Sequence, residues 1–376
     1  MSAHRGGVRL RRATVVDVRA VHAGLIELDI EIDGTRAGAL AYPDLVGPVD
    51  AGDTVVVNTT AVELELGTGG FHIVVAVEGA SLDPSDIGRT MKLRYAPSQT
   101  AVKAVEETDR DVIEGSRGLA GTPVVCAPLH SMIAPAAAGA KAAGARTVVY
   151  VMTDGAALPG PFSRLVPSLR SAGLLDGWIT CGQAFGGELE AVTVWTALIA
   201  AVDVLHADVV IVADGPGNLG TETTWGVSAL TNGHALNAAA ALGGRPVAAL
   251  RVSFADARQR HQGVSHHSLT ILEHVCAANA NVAVPALEAD QREAVWNALR
   301  SRRLEERHQL VETDGRPALA ELEQRGVAVR SMDRTPSDDP VFFLSAGAAG
   351  VLAARMASGS RSWKDGTDAS GHRTAE

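Results

Sequence analysis

From residue 122 onward the chain keeps one rhythm, and no other feature restricts its fold as much. Short runs rich in Val and Ile (PVVCA, RTVVYVM, GWIT, DVVIVA, RPVAALRV, NVAVP, HQLVET and GVAVR) alternate with Ala- and Leu-rich stretches of helical length. Strands that are apolar throughout, rather than at every second residue, are buried on both faces. A βα repeat of such strands predicts an α/β fold with a mostly parallel, doubly wound sheet. A chain of 376 residues hides roughly 75% of its unfolded surface, enough for a core without disulfides or metal staples.

Residues 7–80 follow a different pattern. The runs ATVVDVRAV, LIELDIEI, RAGALAY, GDTVVVN and FHIVVAV are short and β-branched, and several alternate. Turn sequences break them, including Asp33-Gly34 and Gly67-Thr68-Gly69-Gly70. Five or six strands with no helix predict a small β-barrel or sandwich. The layout is thus a small barrel over 1–80 and a polar connection over 81–120. The doubly wound domain covers 121–357, and a Gly/Ser-rich tail over 358–376 is expected to be disordered. The patch Lys92-Leu93-Arg94-Tyr95 reads as part of a solvated linker, although the chain has only four lysines.

Composition excludes some functions. A net charge of −10, with three tyrosines and no basic stripe, argues against nucleic-acid binding. Cys126, Cys181 and Cys276 are far apart and odd in number, the pattern of reduced thiols in the cytoplasm. The charged N-terminus has no apolar run after it, so no signal peptide is expected. Val341–Met356 is apolar for 16 residues, short of the ~20 needed to span a bilayer. Its Ala and Gly content fits a buried helix, so no membrane partner is expected. Homo-oligomers remain open.

Polar and glycine residues collect after strands. Pro128-Leu129-His130-Ser131 follows PVVCA, and Thr153-Asp154-Gly155 follows RTVVYVM. Gln183 and Gly186-Gly187-Glu188 follow GWIT. Asp214-Gly215-Pro216-Gly217-Asn218-Leu219-Gly220-Thr221 follows DVVIVA. Ser253 to Ser268 follows RPVAALRV. Loops leaving parallel strands share the carboxyl edge of the sheet, where open α/β sheets bind ligands.

Within these loops, Gly215, Gly217 and Gly220 form a GxGxxG read as lying before a helix, suited to an anion. Asp214 and Pro216 disfavour a dinucleotide there, while Arg251 keeps NADP as an alternative. Gly186-Gly187 reads as a second helix entry with Glu188 in its first turn. Asp154, Asp214 and Asp256 occupy comparable edge positions and are candidate ligands for Mg²⁺ or Mn²⁺. The run from Arg251 through Asp256, Arg258, His261, His266, His267 and Ser268 is the densest cluster and long for a βα connection. Adjacent His266 and His267 cannot both face one way on a regular element, so at most one is expected to be central. Ser265 and Ser268 suit an N-cap. No HExxH, Cys/His zinc spacing or GxSxG elbow is present.

The runs MTDGAALP, GQAFGGELEAV, DGPGNLGTETTWG and RVSFADARQRHQGVSHHSLT, with NTTAVELELGTGGFH and MKLRYAPSQ upstream, resemble a widespread bacterial family, domain of unknown function family 3866. The resemblance runs from about residue 8 to about residue 350. It implies this two-part layout and no particular activity. At Glu222 it leads one to expect a glycine.

The residues themselves lead to an enzyme acting on a small anionic or phosphorylated metabolite, by metal-assisted hydrolysis or transfer. The expected ligand-binding residues are Asp154, Gly155, Gln183, Gly186, Gly187, Glu188, Asp214, Gly215, Gly217, Gly220, Thr221, Arg251 and Arg258. His261, His266, His267 and Asp256 are the candidate catalytic residues. An imidazole beside a carboxylate is expected to keep its proton to higher pH. A non-catalytic metabolite sensor is the alternative.

Overall fold

The computed structural model describes residues 7–67, 69–82 and 88–368. Thr68 of the glycine-rich turn, and 369–376 of the polar tail, lie outside them. The chain divides into two compact units, one ending at Val102 and the other starting at Lys103.

The first unit contains a closed barrel of β1 (Leu10–His22), β2 (Leu25–Ile32), β3 (Thr35–Ala41), β4 (Thr54–Asn58) and β5 (His72–Val77). Its strand order is β1-β2-β3-β5-β4, with β4 pairing back to β1. Val15, Leu28, Ile30, Val55 and Val57 point inward and fill it, as the alternation predicts. Two one-turn helices, Pro43–Val46 and Thr60–Glu63, interrupt a segment expected to hold strands only. A hairpin of β6 (Thr90–Lys92) and β7 (Thr100–Val102) follows. Lys92 is fully buried there, against the expectation of a solvated patch, whereas Arg94 and Tyr95 are exposed.

The second unit is built on eight parallel strands: β8 (Pro123–Cys126), β9 (Val148–Thr153), β10 (Gly177–Cys181), β11 (Leu189–Ala191), β12 (Val209–Asp214), β13 (Arg245–Ala249), then β16 (Asn281–Pro285) and β17 (Gln309–Thr313). The short β14 (Val252–Ser253) and β15 (Gly263–Val264) pair as a separate hairpin. The sheet order is β11-β10-β9-β12-β8-β13-β16-β17. Alternate residues of each central strand feed two cores. Val124, Val149 and Val210 face one, and Val125, Tyr150 and Ile211 face the other. Both faces are therefore covered, as continuous apolar strands require.

Seven of the eight expected strands form. GVAVR does not: residues 326–330 are irregular, with Val327 and Val329 buried in the core that also holds the last helix. In its place β11 adds an edge strand, which the two glutamates around Leu189 conceal in the sequence. The last helix, Pro340–Asp368, runs past Ala357, where the polar tail was expected to begin. Its span Pro340–Gly359 is long and apolar enough to cross a membrane, yet 78% of that window is buried in the protein. Gly347 and Gly350 bring this helix close to Gly139 and Ala136 of the helix Ile133–Ala142.

The chain leaves β8 for β9, β10 and β11 on one side. It returns to β12, beside β8, and then winds to β13, β16 and β17 on the other. The reversal lies at β12-β8-β13, and the crevice at the carboxyl ends of such strands is where doubly wound sheets take ligands.

Candidate functional site

A cleft of about 560 Å³ opens at that reversal. The loops after β8, β12 and β13 line it, together with residues 328–332. Among the expected residues, Gly217, Gly220, Arg251, Arg258, His261 and His267 line this cleft. Asp154, Gly155, Gln183, Gly186, Gly187 and Glu188 do not.

The wall after β13 carries most of the charge. Arg251 and Asp256 are both buried, with Arg251 Nη2 donating to Asp256 Oδ2 at 3.0 Å. Arg258 adds three bonds to the same carboxylate, two from its side chain at 2.9 and 2.8 Å and one from its backbone N–H at 3.0 Å, and Arg334 stands 3.5 Å away. Arg334 also reaches Asp339, which accepts from the Ser253 hydroxyl at 2.6 Å. Three guanidinium groups thus share two carboxylates and leave a net positive charge. Hydrogen bonds from Arg258 hold Asp256 well below the usual carboxylate range, despite its burial. Burial lowers Arg251 to about 10, still protonated at neutral pH. Its Nε has no hydrogen-bond partner among the described residues. Asp256 therefore holds the arginines in place.

The three histidines come together. Ring centroids of His266 and His267 are 4.1 Å apart, and His261 lies 5.0 Å from His267 and 5.4 Å from His266. Of the adjacent pair His267 alone lines the cleft, as expected, yet both rings meet His261. Ser265 is the N-cap of a short helix, His266–Thr270, and at a helix start the two rings diverge little enough to meet a third. The Ser265 hydroxyl accepts from the His267 backbone N–H and pairs with His261 Nδ1 at 2.8 Å. Ser268 is not a cap; its Oγ accepts from the Arg251 backbone N–H.

The protonation expectation reverses. Burial first, then Arg251 and Arg258, lower His261 to about 3. Burial first, then His266 and Arg251, lower His267 to about 4. His266 is lowered as well, chiefly by burial. The carboxylate expected to hold a proton on these rings is Asp256, and its charge is spent on arginine.

The glycine motif is not at a helix start. The chain becomes helical only at Ser228, and the helix Thr231–Ala241 follows. Gly215 packs against the Ala157 carbonyl, and Gly220 packs against the His267 ring. Gly217 has φ +87° and open space where a side chain would stand. The Thr221 hydroxyl ties the loop to Thr223 and Gly226, and the Thr221 backbone meets His267. Glu222 pairs with Arg260.

Asp214 lies beneath the cleft. Its carboxylate accepts from Thr153 Oγ1 at 2.6 Å, the Gly155 N–H at 3.0 Å, Asn218 at 3.0 Å and Thr231 at 2.9 Å. Burial raises its pKa against those bonds. Asp154 accepts from the Gln183 N–H at 2.8 Å. The expected Asp154, Asp214 and Asp256 oxygen site does not form, because each carboxylate has its own donors. Among the described residues, the group of His, Cys, Asp or Glu close enough to share an ion is His261, His266 and His267.

Gly186-Gly187 enters β11 and not a helix. The Gly186 N–H donates to buried Glu190, the Gly187 N–H donates to Thr180, and Glu188 pairs with Arg170. These side-chain bonds fix the turn into the edge strand β11, so Glu188 caps no helix.

Sequence reasoning passed over His130, Arg330 and Arg334. His130 follows β8 and was visible as a polar residue after a strand. Its Nε2 meets Ser163 Oγ at 2.7 Å, its Nδ1 meets the Asp214 carbonyl at 3.2 Å, and burial lowers it to about 4. Arg330 and Arg334 come from a segment with no motif.

Among curated proteins, none matches the chain. A family model described as protein of unknown function (DUF3866) matches residues 38–350, from the barrel's third strand into the last helix, and the chain belongs to that family.

Proposed function

We propose that the protein is an enzyme acting on a small anionic metabolite, a carboxylate or phosphate ester, bound in this cleft. The supporting observation is Arg251: a buried, protonated guanidinium lining the cleft with its Nε unpartnered. A buried donor of that kind costs about 1–3 kcal/mol unless something accepts from it. Arg258 and Arg330 line the same cleft and add charge suited to bidentate capture of an anion. Imidazoles kept neutral beside them offer lone pairs and not protons. That fits hydrolysis or group transfer better than acid catalysis by histidinium. The NADP reading has less behind it, because the glycines do not open a helix. Cys126, Cys181 and Cys276 are free and buried, which fits a reducing compartment such as the cytoplasm.

Calorimetric titration with inorganic phosphate and with succinate tests the reading. Binding by the wild type, weakened by at least about tenfold in Arg258→Ala, is the expected result. Failure of the wild type to bind either anion, or equal binding by the variant, would overturn it. A bound phosphate ester recovered unchanged would favour a sensor over an enzyme.

A further inference from the structure

We propose that His261, His266 and His267 form a centre for one divalent transition metal of the zinc class, with its open coordination positions turned to the cleft. The proposal deepens the reading above, but metal uptake does not depend on what anion the cleft takes.

Ligand nitrogens of the three rings lie within 4.8 Å of one another. A tetrahedral ion at about 2.0–2.1 Å from each needs them roughly 3.4 Å apart, so small side-chain rotations close the site. His266 Nε2 and His267 Nε2 are buried and have no hydrogen-bond partner among the described residues. Two such orphaned nitrogens facing a third ring are a cost without an occupant.

The surroundings fix the rings as they are fixed in metal centres. The His267 ring bonds to the Thr221 backbone, which leaves Nε2 as its lone-pair nitrogen. The Ser265 hydroxyl plays the same part for His261 through Nδ1. Partners on the outer nitrogen orient imidazoles towards a metal and raise their basicity. Three nitrogen donors suit zinc, cobalt or nickel over magnesium, which wants oxygen.

His261 and His267 line the cleft, so the remaining positions face the anion subsite. Three protein ligands with an open fourth position are the catalytic form of a zinc site, in which a bound water has a pKa of about 7. The arginines make a bare dication costly and favour an anion in the open position. Phosphate and metal are then expected to strengthen each other's binding.

The test uses the full chain, stripped with chelator and titrated with Zn²⁺ or Co²⁺. One equivalent per chain is expected, with the visible bands of tetrahedral cobalt. His266→Gln and His267→Gln should weaken loading by more than about 100-fold, and Ser265→Ala by about 10–100-fold. His266 is only partly buried, so its variant carries the test if His267→Gln does not fold. A wild type that takes up no metal, or histidine variants that load like wild type, would overturn the site. Phosphate binding by the metal-free protein, weakened by Arg258→Ala, separates failure of this site from failure of the anion reading.

Discussion

A β-carbon built on Gly220 stands 2.8 Å from Cε1 of His267, so the loop after β12 closes directly onto that imidazole. The glycine admits a histidine ring where a phosphate was expected. Gly220→Ala should therefore cost about 1–3 kcal/mol and displace the ring. Gly217→Ala meets only its left-handed φ, about 1–2 kcal/mol, with nothing to push. Histidine side-chain NMR separates them: both variants melt lower, and only Gly220→Ala shifts the His267 resonances.

The Asp256 carboxylate holds the arginine wall together. Asp256→Asn leaves Arg251 buried beside Arg258 and Arg334 with too little negative charge. Breaking one side of a buried pair costs about 3–5 kcal/mol. Arg258 is half-exposed, so Arg258→Lys should cost less, about 1 kcal/mol. Urea denaturation of the two variants ranks them. Equal losses would mean that Arg251 does not depend on Asp256.

Much of this architecture was legible because its physics is local. Val148–Met152 and Val209–Ala213 are apolar at every residue, which only a sheet covered on both faces explains. Strand ends then placed Asp154, Asp214 and Arg251 on one edge. Position along an edge does not reveal which donors a side chain meets. Thr153, Gly155, Asn218 and Thr231 come from three separate segments, and their convergence on Asp214 is a tertiary fact. The histidine group was half-legible: the residues were in plain view, but the helix start that lets His266 and His267 both reach His261 depends on Ser265. Arg334 had no signal, because its place in the wall is set by its tertiary contacts with Asp256 and Asp339.

The carboxylates once expected to hold magnesium differ in burial, and their variants should differ too. Asp214→Asn turns an amide N–H₂ towards groups that already donate, and should cost about 2–4 kcal/mol. Asp154 is exposed and accepts one backbone bond, so Asp154→Asn should stay within about 1 kcal/mol. Millimolar Mg²⁺ should leave the Tm of the wild type unchanged. A Mg²⁺-dependent rise in Tm, lost in both variants, would restore the oxygen site.

His130 gives the clearest pH dependence. It is buried against Ser163 and the Asp214 carbonyl, and burial lowers its pKa to about 4. The unfolded chain titrates it near the ordinary value of about 6.5. Between those values the unfolded state binds the extra proton, so stability rises with pH. The contribution of His130 is fully present above about pH 6.5 and is lost as the pH falls to about 4. A displacement of that size corresponds to about 3 kcal/mol at most. His130→Gln cannot titrate. It gives up the bonds to Ser163 and Asp214 and should be less stable than wild type at pH 7.5. As the pH is lowered from 7 to 4.5, it should lose less stability than the wild type does. Other buried histidines contribute equally to both curves, so their difference isolates this ring. Thermal or urea unfolding across that range measures it. Parallel curves would show that His130 is protonated in the folded protein at the same pH as in the unfolded chain.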